Sequence, residues 1–267
     1  MEIIKAEIIS FSLGSLNGNG YDNLKHTKVL PWLSVVQAQE GRYDVGLSNQ
    51  DIKNASEGGF FIAPAGVQQN IIHHVNAKSG TMRARWLFID VTINERFSFD
   101  SLYDIPTILS DEYRNDMNRV FDLLFSAENI FEKYACCYKV LEILFKVSKT
   151  KLHQTNHAML SAFDFIKKNY MNEIKVGDMA RLLNTSESNF YAVFKKHFGM
   201  PPIAYLNNFR LSIAEEKLRT SDDSIKSIAS SVGINDPIYF NKLFHKYYDI
   251  SPKEYRSRSG LNLGRNV

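Results

Sequence analysis

The sequence predicts a multi-domain chain of α and β parts. An N-terminal antiparallel β-barrel or sandwich comes first, then a helical linker, then an all-α domain with two helix-turn-helix motifs. Three observations predict it. Short β-rich segments broken by turn residues fill residues 1–110, and the hydrophobic period becomes helical near Ser110. Beyond that, one stretch between 177 and 206 recurs between 226 and 256.

In the first part, LSVVQAQ (33–39), GGFFIAPAG (58–66), QNIIHHV (69–75) and MRARWLFIDVTI (82–93) are rich in β-branched and aromatic residues. Gly, Asn, Asp and Pro punctuate them at short intervals, the pattern of an antiparallel sheet protein. From 111 to 151, Met117, Val120, Phe121, Leu124 and Phe125 recur at helical spacing, as do Tyr138, Leu141, Leu144 and Phe145. Two helices of this kind can cover the β domain or pair with a second chain. The divisions read at this stage are 1–110, 111–152 and 153–260.

Other properties bound the setting. The 267 residues are 44% hydrophobic and 23% charged, enough for two ordinary cores and typical of a globular chain. No apolar run reaches the ~18–20 residues that a spanning helix needs. The start, MEIIKAEIIS, carries Glu2 and Glu7 and lacks a secretory signal's basic start and apolar block. Cys136 and Cys137 are adjacent and build no disulfide framework, so a reducing cytoplasm is predicted. Two small residues in a helical core is the reading preferred to a redox pair there. Charge is uneven: residues 151–267 hold 17 Lys+Arg against 11 Asp+Glu, a balance of +6, and residues 1–150 hold 15 against 18, a balance of −3. A basic C-terminal part suggests a polyanionic partner.

Met159, Phe163, Ile166 and Tyr170 mark the first helix of that part. In the repeat that follows, Ala180 matches Ala229 at a shift of 49 residues, and Phe190, Phe194, Pro202 and Tyr205 match Phe240, Phe244, Pro252 and Tyr255 at a shift of 50. Each copy reads as helix, turn, helix. In the second, Ser224 or Asp223 caps a helix whose inner face is Ile225, Ile228, Ala229 and Val232. Gly233 suits the left-handed turn position, which Asn184 fills in the first copy. Asp236 then caps the next helix and Pro237 suits its first position. An uninterrupted helix from about Ile203 to Arg219 joins the copies.

If Phe240, Leu243 and Phe244 face inward, then Ile238, Tyr239, Asn241, Lys242 and His245 face out. In the first copy the outward set is Ser188, Asn189, Tyr191, Ala192, Lys195 and Lys196. Short polar, aromatic and basic groups of this kind can enter a DNA major groove and meet bases and phosphates. Ser186, Asn235, Asp236 and Lys246 complete the DNA-facing set. One copy is equally well read as a solvated face; two copies in a basic domain favour double-stranded DNA.

These residues resemble the AraC/XylS family of transcriptional regulators over about 157–258. The carrying features are A-x3-G-(x)6-F-x3-F in the second copy and ISPKEYR at 250–256, with Leu206, Arg210, Ala214 and Leu218 fitting the connecting helix. The resemblance implies that both second helices enter adjacent major-groove segments of promoter DNA. It places Ser188, Tyr191, Ala192, Ile238, Tyr239 and Lys242 towards the bases, with apolar contact expected from Ala192 and Ile238. Arg210 is open to a phosphate contact or a structural bond. The resemblance further implies a homodimer supported by 111–151, and contact with RNA polymerase if the chain is an activator.

The N-terminal half is similar to the family's cupin-like effector domain. In GGFFIAPAGVQQNI, Gly58, Pro64 and Gly66 match the motif G-x5-P-x-G-x2-H, but Gln69 stands where a metal-binding histidine is expected. No His-x-His pair precedes it, which disfavours the alternative of a metal-dependent cupin enzyme; no catalytic residue, metal or cofactor is assigned. A third reading is a β domain that only dimerises. If a small-molecule effector binds there, Trp32, Tyr43, His73, His74 and Trp86 are the candidates, and a sugar is favoured on family grounds. Ordinary core packing is the competing reading for each. His73 and His74, being adjacent on a strand, must point to opposite faces.

Overall fold

The computed structural model describes residues 3, 5–19, 21–48, 50–94, 97–150 and 157–260. The division expected between 152 and 153 lies outside the described residues.

Nine strands come first: β1 (Ala6–Gly18), β2 (Lys25–Val29), β3 (Leu33–Glu40), β4 (Arg42–Leu47), β5 (Lys53–Ala55), β6 (Phe60–Ala63), β7 (Gln68–His74), β8 (Met82–Ile93) and β9 (Phe97–Ser98). They form two antiparallel sheets. One has the order β1-β8-β3-β6 with β9 on β8, and the other has the order β2-β7-β4-β5. A short helix α1 (Phe99–Leu102) and strand β10 (Tyr103–Asp104) lead to helices α2 (Asp111–Ser126) and α3 (Ile130–Val147), after which β11 (Lys149–Thr150) pairs with β10.

The layers explain the patterns. Tyr43, Val45 and Ile71 of the second sheet meet Val36, Ala38, Phe61 and Ala84 of the first in one core. The opposite face of the first sheet, with Val35, Phe60, Ile62, Leu87 and Ile89, packs on Met117, Phe121, Val140 and Leu144 of α2 and α3. Strand β3 is therefore covered on both faces, which is why LSVVQA is apolar almost without alternation. Strand β7 is covered on one, and its residues alternate between buried and half-buried. Arg85 fastens α2 to the sheet: its guanidinium donates to Asp122 at 2.6 Å and to Gln37 at 2.5 Å, and lies over Phe121 and Phe125.

The barrel alternative of the expected fold is corrected. No strand among the described residues links the two sheets, so they stay open as a sandwich. The physical reason is visible at β2, whose outer edge is met by a helix rather than by a strand. An edge strand exposes unpaired backbone groups that must find partners. Here Ser212 Oγ accepts from Val29 N at 3.3 Å, and Asn208 Nδ2 donates to Thr27 O at 3.2 Å.

Those side chains belong to α7. The C-terminal part runs α4 (His157–Asn169), α5 (Val176–Leu182), α6 (Glu187–Phe198), α7 (Pro202–Thr220), α8 (Ile225–Ser231), α9 (Pro237–Tyr248) and α10 (Pro252–Gly260). Both repeat copies fold as helix-turn-helix, α5–α6 and α8–α9. The two turn positions have positive φ, +50° at Asn184 and +79° at Gly233. At Gly233 a Cβ would also fall 2.7 Å from the carbonyl oxygens of Tyr170 and Met171, so glycine is required twice over. Phe190, Phe194, Phe240 and Phe244 all lie in one core with α4 and α7.

The two halves are welded. Val29 is fully buried in the C-terminal core, and Trp32 and Ala65 pack against it. The Tyr205 hydroxyl donates to Gly66 O at 2.5 Å, and Lys167 pairs with Asp90 at 2.8 Å. Gly66, with φ +72°, leaves room for Phe163 and Tyr205: a Cβ would sit within 3 Å of both. Tyr205→Phe strands a buried carbonyl and is expected to lower stability by about 1–2 kcal/mol, read from the denaturant midpoint.

Candidate nucleic-acid interface and effector cavity

The two recognition-type helices, α6 and α9, start alike. Ser186 Oγ accepts from Asn189 N at 3.3 Å, and Asp236 Oδ1 accepts from Ile238 N at 2.8 Å and Tyr239 N at 3.2 Å. Both end in a left-handed residue, Gly199 at φ +79° and Asp249 at φ +58°. Their aromatic stripes are buried, so the other face must be free. All fifteen residues of the DNA-facing set are exposed: Ser186, Ser188, Asn189, Tyr191, Ala192, Lys195, Lys196, Asn235, Asp236, Ile238, Tyr239, Asn241, Lys242, His245 and Lys246. Ile238, at 69% exposure, is a large apolar side chain held in water on a helix that has its own core. Such placement has a purpose at a recognition surface.

Helix α7 fixes how the two faces are presented. Its 19 residues span ~28 Å. Most of its length is buried, including the polar side chains of Asn207, Asn208, Arg210 and Ser212. Arg210 makes the structural bond: its guanidinium donates to Tyr170 O and Asn172 O, both at 2.7 Å, satisfying carbonyls after the end of α4. Asn207 Nδ2 reaches the Tyr239 hydroxyl at 3.1 Å and so ties α9 to the first half of α7. Sequence reasoning missed that tie, since nothing local links position 207 to 239.

A cavity of about 300 Å³ lies where the β domain meets α7, α9 and α10. Of the five candidate effector residues, Tyr43, His73 and Trp86 line it. Trp32 stacks on Phe88 at 5.9 Å instead, and His74 points to the other face of β7, 2.7 Å from Asp44. The ring of Trp86 is covered, since the Arg219 guanidinium lies 5.1 Å over the indole. Sequence reasoning missed His26, Lys28, Glu215, Arg219, Tyr248 and Tyr255, which also line the cavity. They come from both domains and meet only through docking.

Four polar atoms of cavity-lining residues are buried away from solvent and have no protein partner: Nδ1 and Nε2 of His73, Nε2 of His26 and Nε1 of Trp86. The two imidazoles lie 4.9 Å apart. Burial, reinforced by the Lys28 charge, holds both in the neutral form, His73 down to about 3 and His26 well below the ordinary histidine range. Opposite them the Glu215 carboxylate accepts from Tyr255 Oη at 2.6 Å and Tyr248 Oη at 3.5 Å, and lies 3.8 Å from Lys28 Nζ. Arg219 pairs with Glu216 at 2.5 Å. Elsewhere, Gln69 is fully buried with an unpartnered side-chain amide, and no cluster of three His, Cys, Asp or Glu occurs among the described residues.

Comparison with known proteins bears on both sites. A family described as "Helix-turn-helix domain" matches residues 179–258. The lactose operon transcription activator of Staphylococcus xylosus is 34% identical over 129 residues, 48% of this chain and 46% of that protein. The raffinose operon transcriptional regulatory protein of Pediococcus pentosaceus is 36% identical over 100 residues, 38% of this chain and 36% of that one. The chain thus spans less than half the length of these relatives. ToxT from Vibrio cholerae superposes with a TM-score of 0.68 over 93% of this chain and 98% of its own, at 13% identity. A ToxT structure with bound unsaturated fatty acid gives 0.65 over 96% of each chain, at 14% identity. The two-domain fold is therefore shared with ToxT, a sandwich of open antiparallel sheets followed by a helical domain. Residues 179–258 thus match the helix-turn-helix domain family over the stretch on which the resemblance to AraC/XylS regulators rests.

Proposed function

We propose that the whole chain is a sequence-specific, DNA-binding transcriptional regulator that answers to a small molecule held by its N-terminal domain. The observation that carries the DNA half is the pair of capped helices, α6 and α9, whose exposed faces are mounted on one buried rod. At ~28 Å that rod approaches one DNA turn, ~34 Å, so a single chain can address two successive major-groove segments. The relatives named for lactose and raffinose operons support promoter DNA as the partner and a sugar as the effector. One of them is named an activator, which supports RNA polymerase as a further partner. No helix among the described residues is long and apolar enough to cross a membrane. The operon-regulator relatives support a cytoplasmic, non-enzymatic role.

In this reading residues 1–110 serve as sensor, 111–152 as dimerisation segment and 153–260 as DNA-binding domain. Support for a homodimer comes from around the α2–α3 turn, where Leu123, Ile130 and Phe131 are 57%, 51% and 82% exposed. Two copies on one operator would raise avidity without new contacts.

The test is mobility shift and footprinting on DNA selected from a random pool. Lys242→Ala is expected to weaken specific binding about tenfold while leaving stability within about 0.5 kcal/mol. Binding by the unaltered chain should fall linearly with the logarithm of salt. Salt-insensitive binding, or no enrichment from the pool, would count against the reading.

A further inference from the structure

We infer that Asn207 is a positioning residue for DNA recognition: through its bond to the Tyr239 hydroxyl it fixes the spacing of the two groove segments that one chain accepts. This rests on the reading of α6 and α9 as the DNA-facing helices and goes further by naming what sets one against the other.

The second helix-turn-helix is attached to the rest of the helical domain at one small node. Asn207 and Arg210 stand three residues apart on α7 and so share a side of it. Arg210 holds the carbonyls of Tyr170 and Asn172, just past the end of α4, at 2.7 Å each. The turn between α8 and α9 is pressed on that same segment, where a Cβ on Gly233 would lie 2.7 Å from the oxygens of Tyr170 and Met171. Asn207 then crosses to the first turn of α9, and its Nδ2 donates to Tyr239 Oη at 3.1 Å. The unit is thus held at two points: the segment after α4 fixes its position, and Asn207 fixes its rotation.

Asn207 is 9% exposed and Tyr239 46%, so the bond runs from the buried rod to the DNA-facing surface. The first copy is built differently. Asn189, which stands where Tyr239 does, bonds within its own unit, Nδ2 to Thr185 Oγ1 at 2.8 Å. The brace from rod to recognition face therefore belongs to the second copy.

Spacing is where such a brace acts. One base pair added or removed between the two segments turns one against the other by about 35° and moves it ~3.4 Å. A single chain can follow only if the second unit rotates on α7, and that rotation breaks the Asn207–Tyr239 bond. The bond is kept at the right spacing and lost at the wrong one, which is the differential interaction that selectivity requires. A hydrogen bond of ordinary net strength accounts for about fivefold in the affinity ratio.

The experiment measures binding of the full-length protein to an operator selected from a random pool, and to versions with one base pair inserted or removed between the two protected segments. The unaltered chain is expected to prefer the selected spacing at least about tenfold. Asn207→Leu, which leaves the half-exposed Tyr239 hydroxyl to water, should bind the selected operator within about threefold of the unaltered chain, while its preference for that spacing shrinks about fivefold. Asn207→Asp can accept from the Tyr239 hydroxyl and should keep the preference, whatever its added charge does to affinity for DNA as a whole. Lys242→Ala should weaken all three operators alike. Unfolding midpoints establish that each variant is folded. An unchanged preference in Asn207→Leu would overturn the brace. So would a preference lost as fully in Asn207→Asp, or an unaltered chain indifferent to spacing. Enrichment of no operator by the unaltered chain would instead overturn the DNA reading beneath it.

Discussion

Acidification from pH 6.5 to 5 is expected to cost the folded chain about 1.5–2 kcal/mol through His73, with His26 adding to the loss in the same sense. Both are held neutral in the fold, with pKa values depressed, His73 to about 3. In the unfolded chain they titrate near 6.5. Below that pH the unfolded state takes up protons that the folded state refuses, so stability falls as pH falls. The His73 contribution steepens to about 1.4 kcal/mol per pH unit below the unfolded pKa and runs until the folded pKa near 3, His26 acts in the same direction, and the penalty fades above 6.5. The carboxylates whose pKa values are lowered, such as Asp44 and Asp178, act in the same sense, but only once they begin to protonate at lower pH. Denaturant unfolding at several pH values checks this: His73→Phe should reduce the stability lost between pH 6.5 and 5 by about 1.5–2 kcal/mol. An unchanged slope would mean that the ring is protonated in the fold and that the cavity is wetter than its walls imply.

The second large effect is expected from Phe244→Ala, at about 3–5 kcal/mol. Phe244 is fully buried and packs against Phe240 at 5.9 Å, Tyr248 at 4.4 Å and Tyr255 at 5.6 Å. Truncation leaves a ring-sized void under α9 and loosens the tyrosines that hold Glu215. The loss should appear as a lowered melting temperature together with weakened DNA binding, in contrast to Lys242→Ala, which changes binding alone. A Phe244→Ala protein of ordinary stability would mean that α9 is not held by its aromatic stripe.

What could be read from the sequence follows the range of the forces involved. The helix-turn-helix units were readable because their determinants are local and occur twice. Asn184 and Gly233 occupy the turns, Ser186 and Asp236 cap the second helices, and Phe190 and Phe194 in one copy answer Phe240 and Phe244 in the other. The opposite facing of His73 and His74 followed from strand geometry. Closure of the β domain was not readable, since a sandwich and a barrel share the same alternation. The choice rests on Asn208 and Ser212 meeting the edge of β2 from about 180 residues away. KHTKV, the sequence of β2, looks like a solvated strand and gives no sign that Nε2 of the half-buried His26 is shut away from solvent. Trp86 was readable as a cavity residue but not as one covered by Arg219, a residue of the other domain.

The packing of Val29, Trp32 and Ala65 into the C-terminal core bears on portability. The repeat suggests a module that begins near residue 157 and can be moved intact from one chain to another. The packing sets a wider unit: residues 157–260 carried alone would bring a hole where Val29 sits and an uncovered flank along α7. A chimaera that joins this reading head to another sensor must therefore inherit a strand equivalent to β2, with a small apolar residue at its end and free backbone groups for Ser212 and Asn208. The helical domain and its sensor are thus matched surfaces, and exchanging one without the other trades away part of the core.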